Sequence, residues 1–420
     1  MNARPRRSPI ESAVAGARRH KPDHWLLVLS CLLVTIGLVV VYSISPGLAA
    51  NQHVSQSYFI TKQLIAVALG IVGFGIAAHL PISFWRQHAK TLSLIAIIGC
   101  AIVMVTPINA NYPAHRWIRL GGFSFQVAEL IKLALLVQLA AFLTTQWRRG
   151  LLNDFKRTIR PLLILLLILA AVVAKLQSDL GSAGVMIVMI GAAAFSVGLP
   201  LKKIAMFSGI VLVILILAIA SSGYRRERLA TYLHPGSNCQ GSGYQECQAL
   251  ISVGSGGVLG LGLGNSVQAY GYLPEPANDS IFAIMAEKFG FIGSFLIIVI
   301  YGGLITRLKK IIERTADPFS RLMVVGVLAW FSTQMIINVG AMVGLLPLKG
   351  ITLPLISQGS TSLVFLAAAL GIVFQVSRYT SYRVIEPDIN PDEAPISSGS
   401  FDGRRVRRPH NPSLVTRPRT

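Results

Sequence analysis

The chain has 420 residues, of which 53% are hydrophobic and only 13% are charged. A soluble domain carries roughly a quarter charged residues, so this composition excludes a solvated globular enzyme. Long uncharged runs without a fixed repeat also exclude a disordered or fibrous chain. The net charge of +21 would suggest nucleic acid as partner in a soluble protein, but in a membrane protein it reports orientation, and no nucleic-acid partner is expected.

Apolar runs of about 20 residues are long enough to cross a bilayer as helices. Such runs recur along the sequence and are separated by charged residues, glycine and proline. They predict an all-α, polytopic membrane protein with ten transmembrane helices. The predicted spans cover residues 25–42, 61–78, 91–105, 127–145, 161–174, 182–198, 204–222, 281–305, 322–345 and 358–376.

Lysine and arginine are distributed unequally between the two predicted sides of the membrane. With both termini on one side, 28 of the 38 basic residues fall on that side, eight fall on the other, and two lie within spans. The positive-inside rule therefore predicts that both termini are cytoplasmic. Shifting the span count by one would destroy the asymmetry, so an even number of spans is favoured.

The first apolar run has an alternative interpretation as a signal peptide. It follows a basic segment and ends in Gly47-Leu48-Ala49-Ala50, which suits a cleavage site. A membrane anchor is favoured, because the run is longer than a usual signal core and its basic tail completes the charge pattern.

The predicted domain organisation is a membrane domain, residues 25–380, between two disordered basic cytoplasmic tails, 1–24 and 381–420. The arginine cluster at 404–408 suits anionic headgroups, a cytoplasmic partner or plain solvation. One long outer loop, 223–280, lies between spans seven and eight. In a chain of tight connections, such a loop is the default place for function.

Charged residues in or beside apolar spans are costly and therefore informative. Glu129 and Lys132 are three apart, so they share a helical face and can neutralise each other. The alternative is a buried pair that only aids packing. Arg116, Trp117 and Arg119 precede that helix, where they suit an anionic lipid headgroup or, equally, an aromatic belt with snorkelling arginines.

Further charged residues gather on the same predicted side. Asp179 lies in the short turn between spans five and six, with Lys175 and Gln177. Asp279 immediately precedes span eight, where its alternative role is an N-cap, and Glu287 lies two turns further on. A transporter would place such groups near the midplane, whereas an enzyme acting on lipid headgroups would place them near the rim.

Other motifs narrow the chemistry. The glycines between 254 and 264 match neither the dinucleotide fingerprint nor a phosphate loop, and no His or Cys cluster has zinc spacing. Cys239 and Cys247 both fall in the outer loop, where the oxidising exterior allows a local disulfide as well as free thiols.

The outer loop and several flanking segments resemble the SEDS (shape, elongation, division and sporulation) family, and the division branch more than the elongation branch. The resemblance covers roughly residues 25–380. The matching segments include Arg116 to Ile118, Phe125-Gln126, Asp179 to Gly181, Gly262 to Gln268, Tyr272 to Glu275, Asn338 to Gly340 and Gly344 to Pro347.

The resemblance implies ten spans and a peptidoglycan glycosyltransferase that polymerises lipid II with a class B transpeptidase. It places the family's essential aspartate on Asp279, and its conserved acidic and basic residues on Glu129, Lys132 and Asp179. The chain departs from the family around these positions, because the usual His-Thr-Asp-Phe reads Ala-Asn-Asp-Ser at 277–280. Catalysis is therefore expected to be retained, while fine substrate preference is open.

The expected reaction joins a sugar hydroxyl to the anomeric carbon of another lipid-linked chain and expels a polyprenyl pyrophosphate. Pyrophosphate leaves without protonation, so the site needs one base and a source of positive charge. Asp279 is the expected base. Lys132, oriented by Glu129, is expected to stabilise the pyrophosphate, with Arg116 or Arg119.

The remaining expectations concern ligands and partners. Arg116, Trp117, Arg119, Asp179 and Glu287 are expected to contact substrate, and a divalent cation, Mg²⁺ or Mn²⁺, on Asp179 or Asp279 is an alternative source of charge. Expected partners are lipid II, the nascent glycan strand, a class B penicillin-binding protein, other divisome proteins and anionic lipids, in the bacterial inner membrane at the septum. A lipid II flippase, an elongation-type polymerase and a transpeptidase scaffold are the alternatives.

Overall fold

The computed structural model of the protein describes residues 21–105, 116–120, 123–169, 171–173, 179–220, 223–234, 239–241 and 243–379. Within these residues the chain is mostly helical. The α-helices are α1 (His24–Gln52), α2 (Tyr58–His79), α3 (Ile82–Gln87), α4 (Ala89–Val105), α5 (Val127–Arg148), α6 (Arg160–Leu169), α7 (Leu180–Ser196), α8 (Leu201–Ala220), α9 (Gly223–Leu233), α10 (Tyr244–Ser255), α11 (Ile281–Arg314), α12 (Pro318–Met342) and α13 (Ser360–Ser377). A π-helix (Phe155–Ile159), a 3₁₀-helix (Gln268–Tyr270) and two strands, β1 (Trp117–Leu120) and β2 (Phe123–Gln126), are also present.

Six of the described helices are long and apolar enough to cross a membrane: α1, α2, α5, α11, α12 and α13. Two more, α4 and α7, are apolar but have only 17 residues each. The prediction of a mostly helical membrane protein is therefore confirmed. The number of ten spans stays a prediction.

The apolar helices bury one face and expose the other. In α1, Leu26, Leu33 and Val40 are fully buried, and their seven-residue spacing keeps them on one side. Leu32 and Val39 on the other side are exposed, as residues facing lipid acyl chains would be. Helix α5 is different, because nearly its whole surface is enclosed by its neighbours. It forms the centre of the bundle.

The first and last spanning helices meet at one end of the bundle. The backbone N–H of Asp23, which caps α1, donates to Ser377 Oγ at the end of α13, at 3.1 Å. Arg307, near the end of α11, lies 3.8 Å from the Asp23 carboxylate. The start of α1 and the end of α13 thus lie together, as an even number of spans requires. The start of α11 lies at the opposite end.

Helices α2 and α13 pack closely through small residues. A β-carbon on Gly371 would lie 2.5 Å from the carbonyl oxygen of Phe74, and one on Gly70 would lie 2.7 Å from Leu363 Cδ2. Glycine therefore allows the two backbones to approach, which is the usual basis of helix association in lipid.

A short β-hairpin, which the sequence did not predict, accompanies the helices at 117–120 and 123–126. Strands β1 and β2 pair antiparallel, with Trp117 opposite Gln126 and Ile118 opposite Phe125. Thr361, at the start of α13, fastens the hairpin, because its Oγ1 donates to Ser124 O at 3.0 Å and accepts from Gln126 N–H at 3.3 Å. Bonds between the strands satisfy the backbone groups that a helix would otherwise pair internally.

The predicted outer loop, 223–280, is structured over its described part rather than irregular. It contains α9, α10 and the 3₁₀-helix, and Cys239 and Cys247 form a disulfide, so the disulfide alternative is confirmed.

Helix α11 is interrupted at Gly290, whose φ of 66° and ψ of −166° are not helical. The break frees backbone groups that the outer loop then pairs. The N–H groups of Leu261 and Gly262 donate to the carbonyls of Glu287 and Lys288, at 2.9 and 3.0 Å. In return, Phe291 N–H donates to the carbonyl oxygen of Gly257 in the outer loop, at 2.9 Å. Irregular backbone at membrane depth requires such partners.

Candidate active site

Asp279 lies in a turn that ends at the start of α11. The N–H groups of Asn278 and Ser280 both donate to the carbonyl of Glu275, at 3.0 and 3.3 Å. The N-cap residue of α11 is Ser280, and its side chain makes no capping bond. The alternative role of Asp279 as an N-cap is therefore wrong. Its half-buried side chain is left to another task.

A small cleft opens beside Asp279. The empty space between its walls is about 170 Å³, part of it open solvent, so the cleft does not enclose a ligand-sized cavity. It is a narrow depression, and its walls would have to separate to admit a sugar. The lining residues are Asp279, Ile337, Asn338, Ala341, Met342, Leu348, Lys349, Gly350 and Ile351.

The wall opposite the carboxylate is the segment after α12. Gly350 has a φ of +59°, and a β-carbon there would lie 3.5 Å from Asp279 Oδ2. The chain thus runs directly past the carboxylate. Lys349 contributes a half-buried cation to the same cleft. A carboxylate residue and a lysine therefore line the same cleft.

The predicted pair Glu129 and Lys132 is formed, but away from the lining of this cleft. Lys132 Nζ lies 2.7 Å from Glu129 Oε1, 3.4 Å from Gln334 Oε1 and 5.4 Å from the centre of the Trp330 ring. Both charged side chains are almost completely buried. Gln334 Nε2 in turn donates to Thr352 O at 3.0 Å. The ion pair therefore supports the segment that follows Gly350.

Asp179 is held by two groups of the protein. Its Oδ1 caps α7 by accepting from Ser182 N–H at 2.9 Å, and its Oδ2 accepts from Gln126 Nε2 at 3.3 Å. A β-carbon on Gly181 would lie 2.5 Å from the Ile351 side chain. The start of α7 therefore packs against the cleft wall, between the cleft and the hairpin.

The structure describes the side chains of only some of the residues expected at the hairpin. Arg116 and Trp117 are half-buried, and the Arg116 carbonyl accepts from Val127 N–H at 3.4 Å. Arg119 pairs with Ser124 through the backbone, but its side chain lies outside the described residues. So do Lys175 and Gln177, which were expected near Asp179.

Glu287 anchors the outer loop. Its Oε2 accepts from Ser266 Oγ at 2.5 Å, and its Oε1 accepts from the N–H groups of Val267 and Gln268, at 2.9 and 3.3 Å. The neighbouring Lys288 donates to Leu263 O. A carboxylate with three protein donors serves first to hold this segment on α11.

The sequence reasoning missed part of the site. Lys349 was counted only as one basic residue on the sparsely charged side, and Gln334 was passed over. A signal was available, because Gln334 and Asn338 are four apart in an otherwise apolar span and so share one helical face. Uncharged polar residues on one face of a spanning helix bond across helices.

The described fold is a helical membrane bundle, and comparison with known proteins identifies its family. Residues 23–382 match the FTSW_RODA_SPOVE family, described as cell cycle protein. The chain belongs to this family. The resemblance found in the sequence is thereby confirmed.

Two relatives show the extent of the similarity. Stage V sporulation protein E of Bacillus subtilis is 35% identical over 374 residues, which are 87% of this chain and 99% of that one. A probable peptidoglycan glycosyltransferase FtsW of Saccharophagus degradans is 34% identical over 381 residues, which are 88% of this chain and 95% of that one.

Two solved structures share the fold. One, described as structural coordination of polymerization and crosslinking by a peptidoglycan synthase complex, has a TM-score of 0.70 and 26% identity, and covers 85% of this chain and 98% of that chain. The other, the rod shape determining protein RodA of Thermus thermophilus, has a TM-score of 0.61 and 24% identity, with 86% and 98% covered.

Proposed function

We propose that this protein is a peptidoglycan glycosyltransferase that polymerises lipid II into glycan strands during cell division. The observation that carries the proposal is the cleft that Asp279 and Lys349 line together, in a chain similar to proteins named probable peptidoglycan glycosyltransferase FtsW. The cleft is narrow in this structure, so its walls would separate to admit the reacting groups. The polyprenyl chains would remain in the lipid around the bundle.

Asp279 acts as the general base that takes the proton from the acceptor hydroxyl. The hydroxyl oxygen attacks the anomeric carbon with inversion, and the bond to the pyrophosphate oxygen breaks. Because pyrophosphate leaves as an anion, the site must supply positive charge rather than a second acid. Lys349, which lines the cleft, supplies it, and Arg116 or Arg119 remains the second candidate.

Glu129 and Lys132 act on the cleft through Gln334. The Lys132 ammonium is enclosed by Glu129, Gln334 and Trp330, so direct contact with pyrophosphate would require the protein to open there. Asp179 and Trp117 act where the hairpin, α7 and the cleft wall meet. Glu287 acts through the loop segment that it holds.

A divalent cation on Asp179 or Asp279 is the alternative source of positive charge. No group of three or more His, Cys, Asp or Glu side chains with metal-binding geometry occurs among the residues that the structure describes. Asp179, one of two candidate ligands, already accepts two hydrogen bonds from the protein. The described residues do not form a cage for Mg²⁺ or Mn²⁺, and no step passes through a metal.

The proposed function also requires a membrane topology and a partner enzyme. The membrane domain, 25–380, crosses the inner membrane ten times with both termini in the cytoplasm, and most of the predicted tails, 1–24 and 381–420, lies outside the described residues. The cleft then faces the exterior, where lipid-linked precursors are polymerised. A class B transpeptidase crosslinks the product at the septum, and the solved peptidoglycan synthase complex supports such a partnership.

A polymerisation assay tests the function. Purified protein, with and without a class B transpeptidase, receives lipid II in detergent, and the products are separated on a gel. We expect long glycan strands. No polymer, together with transport of lipid II across liposomes, would identify a flippase, and neither activity would identify a scaffold.

A further inference from the structure

The turn that carries Asp279 is held through three consecutive carbonyl groups. Gln358 N–H donates to Ala277 O at 2.9 Å, Ser357 Oγ donates to Asn278 O at 2.6 Å, and Asn338 Nδ2 donates to Asp279 O at 2.7 Å. These donors come from α12 and from the segment before α13. The position of the Asp279 backbone is therefore set by a part of the chain about 60 to 80 residues away.

Asn338 differs from the other two donors because it also lines the cleft. Its Nδ2 makes a second bond, to Ile351 O, at 2.7 Å. Both hydrogens of the amide nitrogen are thus used on carbonyl oxygens. The orientation of the amide is fixed, because a flipped amide would place its oxygen against those two acceptors.

The amide oxygen of Asn338 has no such partner. Asn338 is 2% exposed, and among the residues that the structure describes its Oδ1 accepts no hydrogen bond. A buried acceptor without a donor costs about 1 to 3 kcal/mol. A donor of a polyhydroxylated sugar that enters the cleft would satisfy this acceptor.

We propose that Asn338 is a substrate-contacting residue of the transfer site. Its Oδ1 accepts a hydrogen bond from a hydroxyl or N-acetyl N–H of the sugar in the cleft, while its Nδ2 holds the peptide of Asp279. The same side chain then positions both the base and the sugar that the base deprotonates. This inference rests on the proposed glycosyltransferase function and names a substrate contact at its site.

Ser357 provides the matched control. It holds the neighbouring carbonyl of the same turn, but it does not line the cleft. Loss of its hydroxyl should therefore disturb the position of Asp279 without removing a contact to the sugar. Asn338→Leu, which is close to isosteric, removes both the proposed contact to the sugar and the hydrogen bond to the Asp279 carbonyl.

Steady-state polymerisation of lipid II separates the two roles. We expect Ser357→Ala to lower kcat with little change in KM, and Asn338→Leu to lower kcat and raise KM about 3- to 10-fold, the effect of one lost hydrogen bond. Equal KM values for the two variants, with a similar loss of kcat, would overturn the contact and leave Asn338 a positioning residue only.

A binding measurement covers the case in which Asn338→Leu does not fold. Lipid II affinity is measured in detergent for Asp279→Asn with and without Asn338→Ala, a smaller change that cannot overpack the site. We expect the double variant to bind about 3- to 10-fold more weakly, and unchanged affinity would overturn the proposal. If the unaltered protein binds lipid II but makes no polymer, the proposed function fails. The affinities of the two variants still decide whether Asn338 contacts lipid II.

Discussion

At the scale of single residues, Asp279 is held by its backbone, so its side chain can change without loss of the turn. Asp279→Asn keeps the size of the side chain but removes the base, and we expect a loss of about 10² to 10⁴ in polymerisation rate with an unchanged unfolding temperature. The measurement is glycan synthesis from lipid II.

Glu275→Gln is the control for that change. It removes a carboxylate from the same turn but keeps an oxygen that can accept from the Asn278 side chain. Normal polymer from Asp279→Asn, or an equal loss in both variants, would contradict the assignment of Asp279 as base.

Lys349 is expected to act on the anionic leaving group. Lys349→Met keeps the length of the side chain and removes the charge, so we expect polymerisation to slow about 10- to 100-fold, which corresponds to loss of one charged hydrogen bond. Lys62→Met is the control, because Lys62 stacks on Tyr58 and does not line the cleft. Equal rates in the two variants would remove Lys349 from the mechanism.

The buried pair Glu129 and Lys132 predicts a non-additive effect on stability. Glu129→Gln leaves a buried ammonium without its counter-ion, and we expect a loss of about 3 to 5 kcal/mol. The double variant Glu129→Gln with Lys132→Met removes both charges and should recover most of it. Thermal unfolding in detergent measures this, and an additive loss in the double variant would show that the two charges do not interact.

Single residues were predictable from the sequence where charge made them costly. Asp279, Glu129 and Lys132 stood out because ionisable groups are rare in apolar runs. The local pair of Glu129 and Lys132 was predictable, but Gln334 and Trp330, which also enclose Lys132, come from a distant part of the chain and were not. The cleft around Asp279 likewise depends on Lys349 and on Asn338, a neutral residue without such a signal.

At the scale of elements, the break in α11 depends on glycine. Gly290 has a φ of +66°, and a β-carbon there would lie 2.3 Å from Gly260 N. Gly290→Ala should therefore separate the outer loop from α11, and we expect lower thermal stability and faster proteolysis within residues 256–264. Gly302→Ala, in the same helix with no atom within 4 Å of the added carbon, should be neutral or stabilising. Similar behaviour of both variants would contradict this role of Gly290.

The hairpin shows which secondary-structure elements could be predicted from the sequence. Residues 118–120 and 123–126 alternate apolar and polar residues around Gly121-Gly122, which is a hairpin signal. A search for long apolar runs passes over such short strands, so the hairpin was missed. The break at Gly290 is harder to predict, since its hydrogen-bond partners lie at 257–262 in the outer loop and no local pattern reveals that pairing.

At the scale of the whole molecule, the charge asymmetry predicts which loops face outwards. In a background with Cys31 and Cys100 changed to alanine, we expect Ser55→Cys to react with an impermeant maleimide in intact cells. Lys156→Cys should react only after permeabilisation. Both positions are exposed in the fold, so a reversed pattern would contradict the predicted orientation.

The close pairing of α2 with α13 also bears on how the protein is made. Gly70 and Leu363, which meet in that interface, are separated by about 290 residues of synthesis, or roughly 15 to 60 seconds at 5 to 20 residues per second. During that time the small-residue face of α2 waits in the bilayer without its partner. Insertion of the last helix is thus the step that closes the bundle, and a ribosome that stops before residue 360 leaves an open chain for quality control to remove.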